Sequence, residues 1–246
     1  GGTDGTPGAP TGRWAIGRCR AGHMGHAMAG SRDVTTTDLF VMEIPDGGGD
    51  VTMTFCHDIN FVHPDVDNGM NILTALTDDA RTALGEAGLD LATAATDPIV
   101  PTQILTWDWG LKDLGDAVPT EASDPRVWDQ DADGNPGISL AVDVTMKDAG
   151  TGEDVPFLSG QRYMAKRLTL ELAGGALSAD GRWIVGELDW SVEEVSYGAD
   201  NNLLAESVPI DPTGVGDRFE MRRITGETDC AALIASHEAL FAGVPD

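Results

Sequence analysis

Apolar and polar residues alternate along most of this chain with a period of two, the spacing that sets one face of a β-strand against a core and the other in water. Residues 13–20 alternate in this way, 36–44 (TTDLFVMEI) do so more strongly, and 51–61 (VTMTFCHDINF) resume after Pro45-Asp46-Gly47-Gly48-Gly49. That succession predicts a hairpin with a glycine-rich loop. Further strands are expected at 104–111, 138–146, 161–172, 182–197 and 218–224, with turns at Gly174-Gly175, Asp180-Gly181 and 198–202.

The period changes in two places. Between residues 70 and 91, Ile72, Leu73, Leu76, Ala80, Ala83, Leu84 and Ala87 recur at helical spacing, so one or two short helices are expected inside an insertion spanning 64–101, which Pro98 and Pro101 close. At 228–243, Thr228 or Asp229 can cap a terminal helix whose Ala232, Leu233, Leu240 and Phe241 share a side. The fold class implied is mainly β: an antiparallel barrel with a helical insertion and a C-terminal helix. Residues 12–246 form a single domain, and 1–11, rich in Gly, Pro and Thr, read as a flexible tether.

Composition narrows the function classes. Forty-one acidic residues against 15 basic ones give a formal charge of -26, a surface that repels nucleic acid and anionic lipid. No apolar run approaches the about 20 residues that a transmembrane helix needs. The tether suits the terminus left by a removed export signal or a lipid anchor before residue 1, so a secreted, periplasmic or outer-surface location is expected. Cys19, Cys56 and Cys230 then allow one disulfide, in any of three pairings.

The segment Trp128-Asp-Gln-Asp-Ala-Asp-Gly-Asn-Pro-Gly137 carries the most specific chemistry. Asp129, Asp131 and Asp133 occupy alternate positions followed by Gly134, a spacing that wraps hard oxygen ligands around a calcium ion, and Asn135 can add its carbonyl. The segment resembles the first half of EF-hand, dockerin and thrombospondin calcium loops. Those loops place an acid at position 12, where this chain has Leu140, so the remaining ligand is expected from Asp143, Asp124 or water. The cofactor expected is structural calcium.

Gly12-Arg13-Trp14 on the first strand resembles the Gly-x-Trp signature of lipocalins, whose tryptophan closes the bottom of an up-and-down barrel. The strand-then-helix ending is similar, and Arg222 or Arg223 stands where the family's basic residue packs over that tryptophan. The chain also looks like acidic secreted lipoproteins of Gram-negative bacteria that combine an aspartate loop, a β-rich body and a late cysteine. The lipocalin resemblance implies a ligand in the barrel interior or mouth, with Trp107, Trp109 and Trp190 as candidate contacts, and Trp183 and Tyr197 behind them.

Other chemistry has less behind it. His23-Met24-Gly25-His26-Ala27-Met28 offers imidazole and thioether ligands suited to copper, His23 and His26 first among them, in what reads as a loop joining the first two strands. Neither Gly-x-Ser-x-Gly, nor a phosphate loop, nor His-Glu-x-x-His is present, and the acid pairs Glu187/Asp189 and Glu193/Glu194 follow from acid-rich composition. The expectation is a calcium-stabilised exported protein without catalytic activity, which binds a small apolar ligand or other surface proteins. The alternatives are a subunit of a cell-surface assembly and a copper-handling or hydrolytic extracellular protein.

Overall fold

Eleven strands hydrogen-bond into one antiparallel sheet that closes on itself. The computed structural model describes residues 11–26, 30–46, 49–62, 69–86, 89–93, 103–112, 117–207, 210–213, 217–226 and 228–242. Strands β1 (Gly12–His26), β2 (Gly30–Ile44) and β3 (Gly49–Val62) form a meander. β4 (Asn71–Leu76) and β5 (Leu89–Thr93) both pair with the free edge of β3. β6 (Gln103–Trp109) and β7 (Ile138–Lys147) both pair with one edge of β8 (Asp154–Leu177), and β9 (Trp183–Ala199) takes its other edge. β10 (Ile210–Pro212) and β11 (Arg218–Arg223) return to β1, which also pairs with β2. Eight staves therefore make an up-and-down barrel, three of them composite: β4 with β5, β6 with β7, and β10 with β11.

Closure through the β4–β7 pairing turns the period-two pattern into an inside and an outside, while β5 and β6 each have one strand partner among the described residues. Directly paired residues share a face, so Trp14 with Met42, Ile16 with Phe40 and Met164 with Ile138 all point inward. Together with Phe55, Leu168, Leu170, Ile184, Phe219 and Met221 they form a continuous apolar core. Trp14 is fully buried at one end, and the Arg223 guanidinium lies over its ring, 4.5 Å from the centroid. The expected packing of a basic residue on that tryptophan falls to Arg223; Arg222 turns outward and stacks on Trp183.

The interrupted staves explain where element expectations needed changing. The helix between residues 70 and 91 is nine residues long, α1 (Asp78–Glu86), started by the Thr77 hydroxyl, which accepts from Ala80 N at 3.2 Å. Asn71–Leu76 is a strand instead, because β3 and β7 satisfy its backbone groups on both edges. Ala80 and Leu84 of α1 join the interior cluster, so the helix fills the break in its stave. Gly174-Gly175 is a bulge within β8, not a turn; the chain reverses between Leu177 and Trp183. The stretch from His23 to His26 continues β1, so it is not a loop. Residues 1–10 of the tether, Gly47-Gly48, Ala27-Met28, His63, Pro98 and Pro101 lie outside the described residues.

Helix α2 (Cys230–Phe241) is capped by Asp229, which accepts from Ala232 N at 2.8 Å, and packs on the outside of the barrel. Leu233 is buried there against Ala15, Leu39 and Val41. A bulge in β3 sets Leu39 opposite His57 and Phe40 opposite Phe55, which leaves Cys56 as the extra residue facing the helix. Cys56 bonds to Cys230 across a sequence separation of 174, so Cys19 is the odd cysteine. Leu233 is the one fully buried side chain of α2, with Ile234, Leu240 and Phe241 partly buried beside it, and the disulfide adds a covalent tie. Reducing it is expected to lower unfolding free energy by about 2–4 kcal/mol, measured by urea titration with and without reductant.

His57, beside Cys56, is buried, and burial, Arg81 and His237 together hold its pKa down at about 4. Below its ordinary value of 6.5 the unfolded chain takes up a proton that the folded one refuses. Stability present above about pH 6.5 is thus lost as pH falls toward 4. Chemical unfolding at pH 7 and pH 5 should differ by up to about 2 kcal/mol from this group, and His57→Gln should flatten that difference.

Candidate functional site

Inward parity places charged residues as well as apolar ones inside the barrel. Arg20 on β1 continues the Trp14–Ile16 face, Asp38 and Asp58 continue the inner faces of β2 and β3, and Lys166 sits between Met164 and Leu168 on β8. All four are almost wholly buried. Arg20 Nε donates to Asp38 Oδ2 at 2.7 Å, and its Nη2 reaches Asp58 Oδ2 at 3.3 Å. Lys166 Nζ donates to the same Asp58 oxygen at 3.1 Å. Asn60 donates to Asp58 Oδ1, and Thr36 donates to Asn60, each at 2.6 Å. The cations also lie on aromatic faces, Arg20 4.6 Å from the Trp190 ring centre and Lys166 4.3 Å from that of Trp109. Burial pushes the Asp58 carboxyl above the usual carboxylate range, with Lys166 pulling against it.

This network is the floor of a cavity. Above Arg20, Asn60 and Lys166 the barrel opens away from Trp14, and its walls become Met24, Val34, Val62, Ile72, Val142, Val144, Leu158 and Val192. Arg162 and Glu194 add a second charged pair to the lining, with Arg162 Nη2 2.8 Å from Glu194 Oε1 although its N–H is not aligned on that oxygen. Arg162 Nη1 donates to Glu206 O at 3.1 Å, while its buried Nε has no hydrogen-bond partner among the described residues. The centre of a water molecule can reach about 90 Å³ of this space. Leu204, from the 3-10 turn Asn202–Leu204, is a buried lining residue, and Phe157 and Leu203 stand exposed among the others.

The aromatic candidates lie beneath the cavity. Trp109 is fully buried against Phe55, Trp107 packs on Phe40, and Trp190 is held by Nε1 donating to Asp217 Oδ2 at 2.8 Å. None of the three is among the lining residues. Trp183 faces Phe241 of α2, and Tyr197 donates to Pro119 O, with burial pushing its pKa up to about 12. The strand pleat sends Met24 into the cavity and His23 outward, where Asp33 and Ser31 hold its ring. His23 and Met24 thus stand on opposite faces of β1.

The aspartate segment belongs to an excursion between β6 and β7, described over 110–112 and 117–137, whose two ends meet at the barrel wall. Gly110 and Gly137 form its neck, and a Cβ on Gly137 would lie 2.2 Å from Met164 O. Gly137 also has φ +94, so side-chain-bearing residues are excluded twice over. Gly137 N donates to Trp128 O and Gln130 N to Gly137 O, which close the loop above the neck. Inside it Asp129, Asp131 and Asp133 bring carboxylate oxygens within 4.8 Å of one another. Asp133 accepts from Asn135 N and Nδ2. Asp143 is exposed on β7 and Asp124 is engaged by Arg126, so neither belongs to this group.

No protein-family model, curated protein or solved structure matches the chain. Sequence reasoning missed Arg20, Arg162, Lys166, Asp58 and Glu194, and the signal for them was parity: each is a charge at an inward strand position. Loss of one member of the floor strands a buried countercharge. Lys166→Met is expected to cost about 3–5 kcal/mol of stability, read from denaturant midpoints, whereas Lys147→Met at the exposed Asp154 pair should cost under about 1 kcal/mol.

Proposed function

We propose that the protein binds a small, mostly apolar molecule in the open end of the barrel, with a polar oxygen of that molecule set on the charged floor. The observation that carries this reading is the cavity itself, walled by aliphatic side chains and based on Arg20, Arg162, Lys166 and Glu194. Apolar walls favour an apolar guest at about 25 cal/mol per Å² buried, and the rigid barrel loses little freedom when the guest enters. The partnerless Nε of Arg162 calls for an acceptor on the ligand, such as a carbonyl, ester or hydroxyl oxygen. Three cations faced by Asp38, Asp58 and Glu194 suit a neutral polar end better than a second full negative charge.

The up-and-down order, the outer-wall helix and Arg223 over Trp14 support a lipocalin-like mode, in which one end is sealed and the other receives ligand. The Cys56–Cys230 bond and the acidic surface support an exported location, secreted, periplasmic or on the outer cell surface. No helix among the described residues is long and apolar enough to cross a membrane. The reading assigns no catalytic step to the barrel.

Titration with Nile red, a neutral apolar dye, tests the reading. The expected result is one saturable site per chain with Kd on the order of micromolar. Val144→Arg should weaken binding by roughly tenfold or more by putting a charge into the wall, and Leu73→Arg, on an exposed position of β4, should not. Absence of saturable binding, or equal binding by Val144→Arg, would overturn it. Native mass spectrometry of protein from its source then reads the natural guest; empty chains held in a stoichiometric oligomer would instead favour a surface-assembly subunit.

A further inference from the structure

We infer that Asp129, Asp131 and Asp133 form a calcium site that clamps the excursion 110–137 to the start of β7. Carboxylate oxygens of all three lie within 4.8 Å of one another. Calcium takes oxygen ligands at about 2.3–2.6 Å, so ligands on opposite sides of one ion stand about 5 Å apart and a single ion can touch all three. Magnesium holds opposite ligands about 4 Å apart in a stricter octahedron and suits a looser three-acid set less well.

Proximity of acids would mean little alone in a chain this acidic. The independent observation is Asp131, which is 9% exposed and whose Oδ1 has no hydrogen-bond partner among the described residues. A buried carboxylate oxygen with no donor is unfavourable unless something positive meets it, and none of the three carboxylates forms a salt bridge among the described residues. A divalent cation supplies the missing partner and removes the repulsion between the three charges at once.

The surrounding hydrogen bonds determine what such an ion would do. Asp129 accepts from Asp133 N at 3.1 Å and Gly134 N at 3.0 Å, which fixes the turn. Asp131 Oδ2 accepts from Ser139 N at 2.9 Å, and Asp133 Oδ2 from the Ser139 hydroxyl at 2.6 Å. Two of the three ligands are therefore already tied to the second residue of β7. An ion that locks them locks the neck of the excursion to the barrel wall, a structural role. With three carboxylates in the group, the affinity belongs to the extracellular range, Kd on the order of 10⁻⁴ to 10⁻³ M.

The test uses the full chain stripped with chelator and titrated with calcium by isothermal calorimetry, and separately with terbium, whose luminescence Trp128 would sensitise because it adjoins Asp129 and is 43% exposed. Expected are one ion per chain and a melting temperature raised by about 3–6 °C when calcium is near tenfold Kd. Asp131→Asn should lose ion uptake and the calcium-dependent rise while melting no lower than wild type without calcium, since it removes a repulsive buried charge. Asp133→Asn provides the same comparison should Asp131→Asn fail to fold, and Asp143→Asn should bind as wild type. Folded wild type that takes up no calcium at that concentration, an Asp131→Asn or Asp133→Asn chain that binds normally, or equal uptake of magnesium would overturn the assignment.

Discussion

Charged side chains at the middle of an eight-staved barrel have no water to retreat to, and the arrangement of this molecule follows from how they meet one another. Arg20, Asp38, Asp58 and Lys166 come from four staves; Arg20 and Lys166 meet at Oδ2 of Asp58, and Arg20 also takes both oxygens of Asp38. Each bond requires the strands on either side to be in register, because a slip of one residue would turn the charge outward and the neighbouring apolar residue inward. The network thus divides the interior. Below it the core is apolar and ends in Trp14 under Arg223; above it the interior holds a cavity.

That division also accounts for the chemistry of the cavity. A barrel filled with leucine from end to end would have no site, and one lined with charge from end to end would hold water. Here a charged floor stabilised by its own countercharges, by Asn60 and Thr36, and by the faces of Trp109 and Trp190 meets an aliphatic wall. Such a floor is costly to assemble and is fully partnered across its centre, so it resists rearrangement. Among the described residues, bonding positions are left over at its margin, at Arg162 and Glu194, and on the buried Nε1 of Trp109.

Much of this fold was legible in the period-two pattern, and the reasons for the misses are local. Strands β1 to β3 and β7 to β9 read correctly because alternation over eight or more residues has no helical interpretation. Asn71–Leu76 did not, since Ile72, Leu73 and Leu76 satisfy a helical period over so short a run, and only pairing with β3 and β7 decides between them. Composite staves were invisible for a related reason: nothing in the residues of β4 and β5 says that they continue one another across α1. The aspartate cluster could be read because its three carboxylates lie within five residues of one another. The floor could not, because Arg20 and Lys166 meet only after the ring closes.

The contrast between those two clusters bears on what each is for. A set of groups drawn from one short segment, such as Asp129 to Asp133, can be organised by local hydrogen bonds before the barrel exists, and its bonds to Ser139 then act outward on the wall. A set drawn from β1, β2, β3 and β8 can form only when the barrel has closed, and so reports and enforces that closure. Ligand specificity would come from the second kind of cluster, whose geometry depends on the whole fold, and local fastening from the first. The neck formed by Gly110 and Gly137 lies beside Met164, two residues from Lys166, so a loosened excursion would be felt along β8 at the floor of the cavity. The aspartate loop and the charged floor of the cavity are thereby joined through one strand.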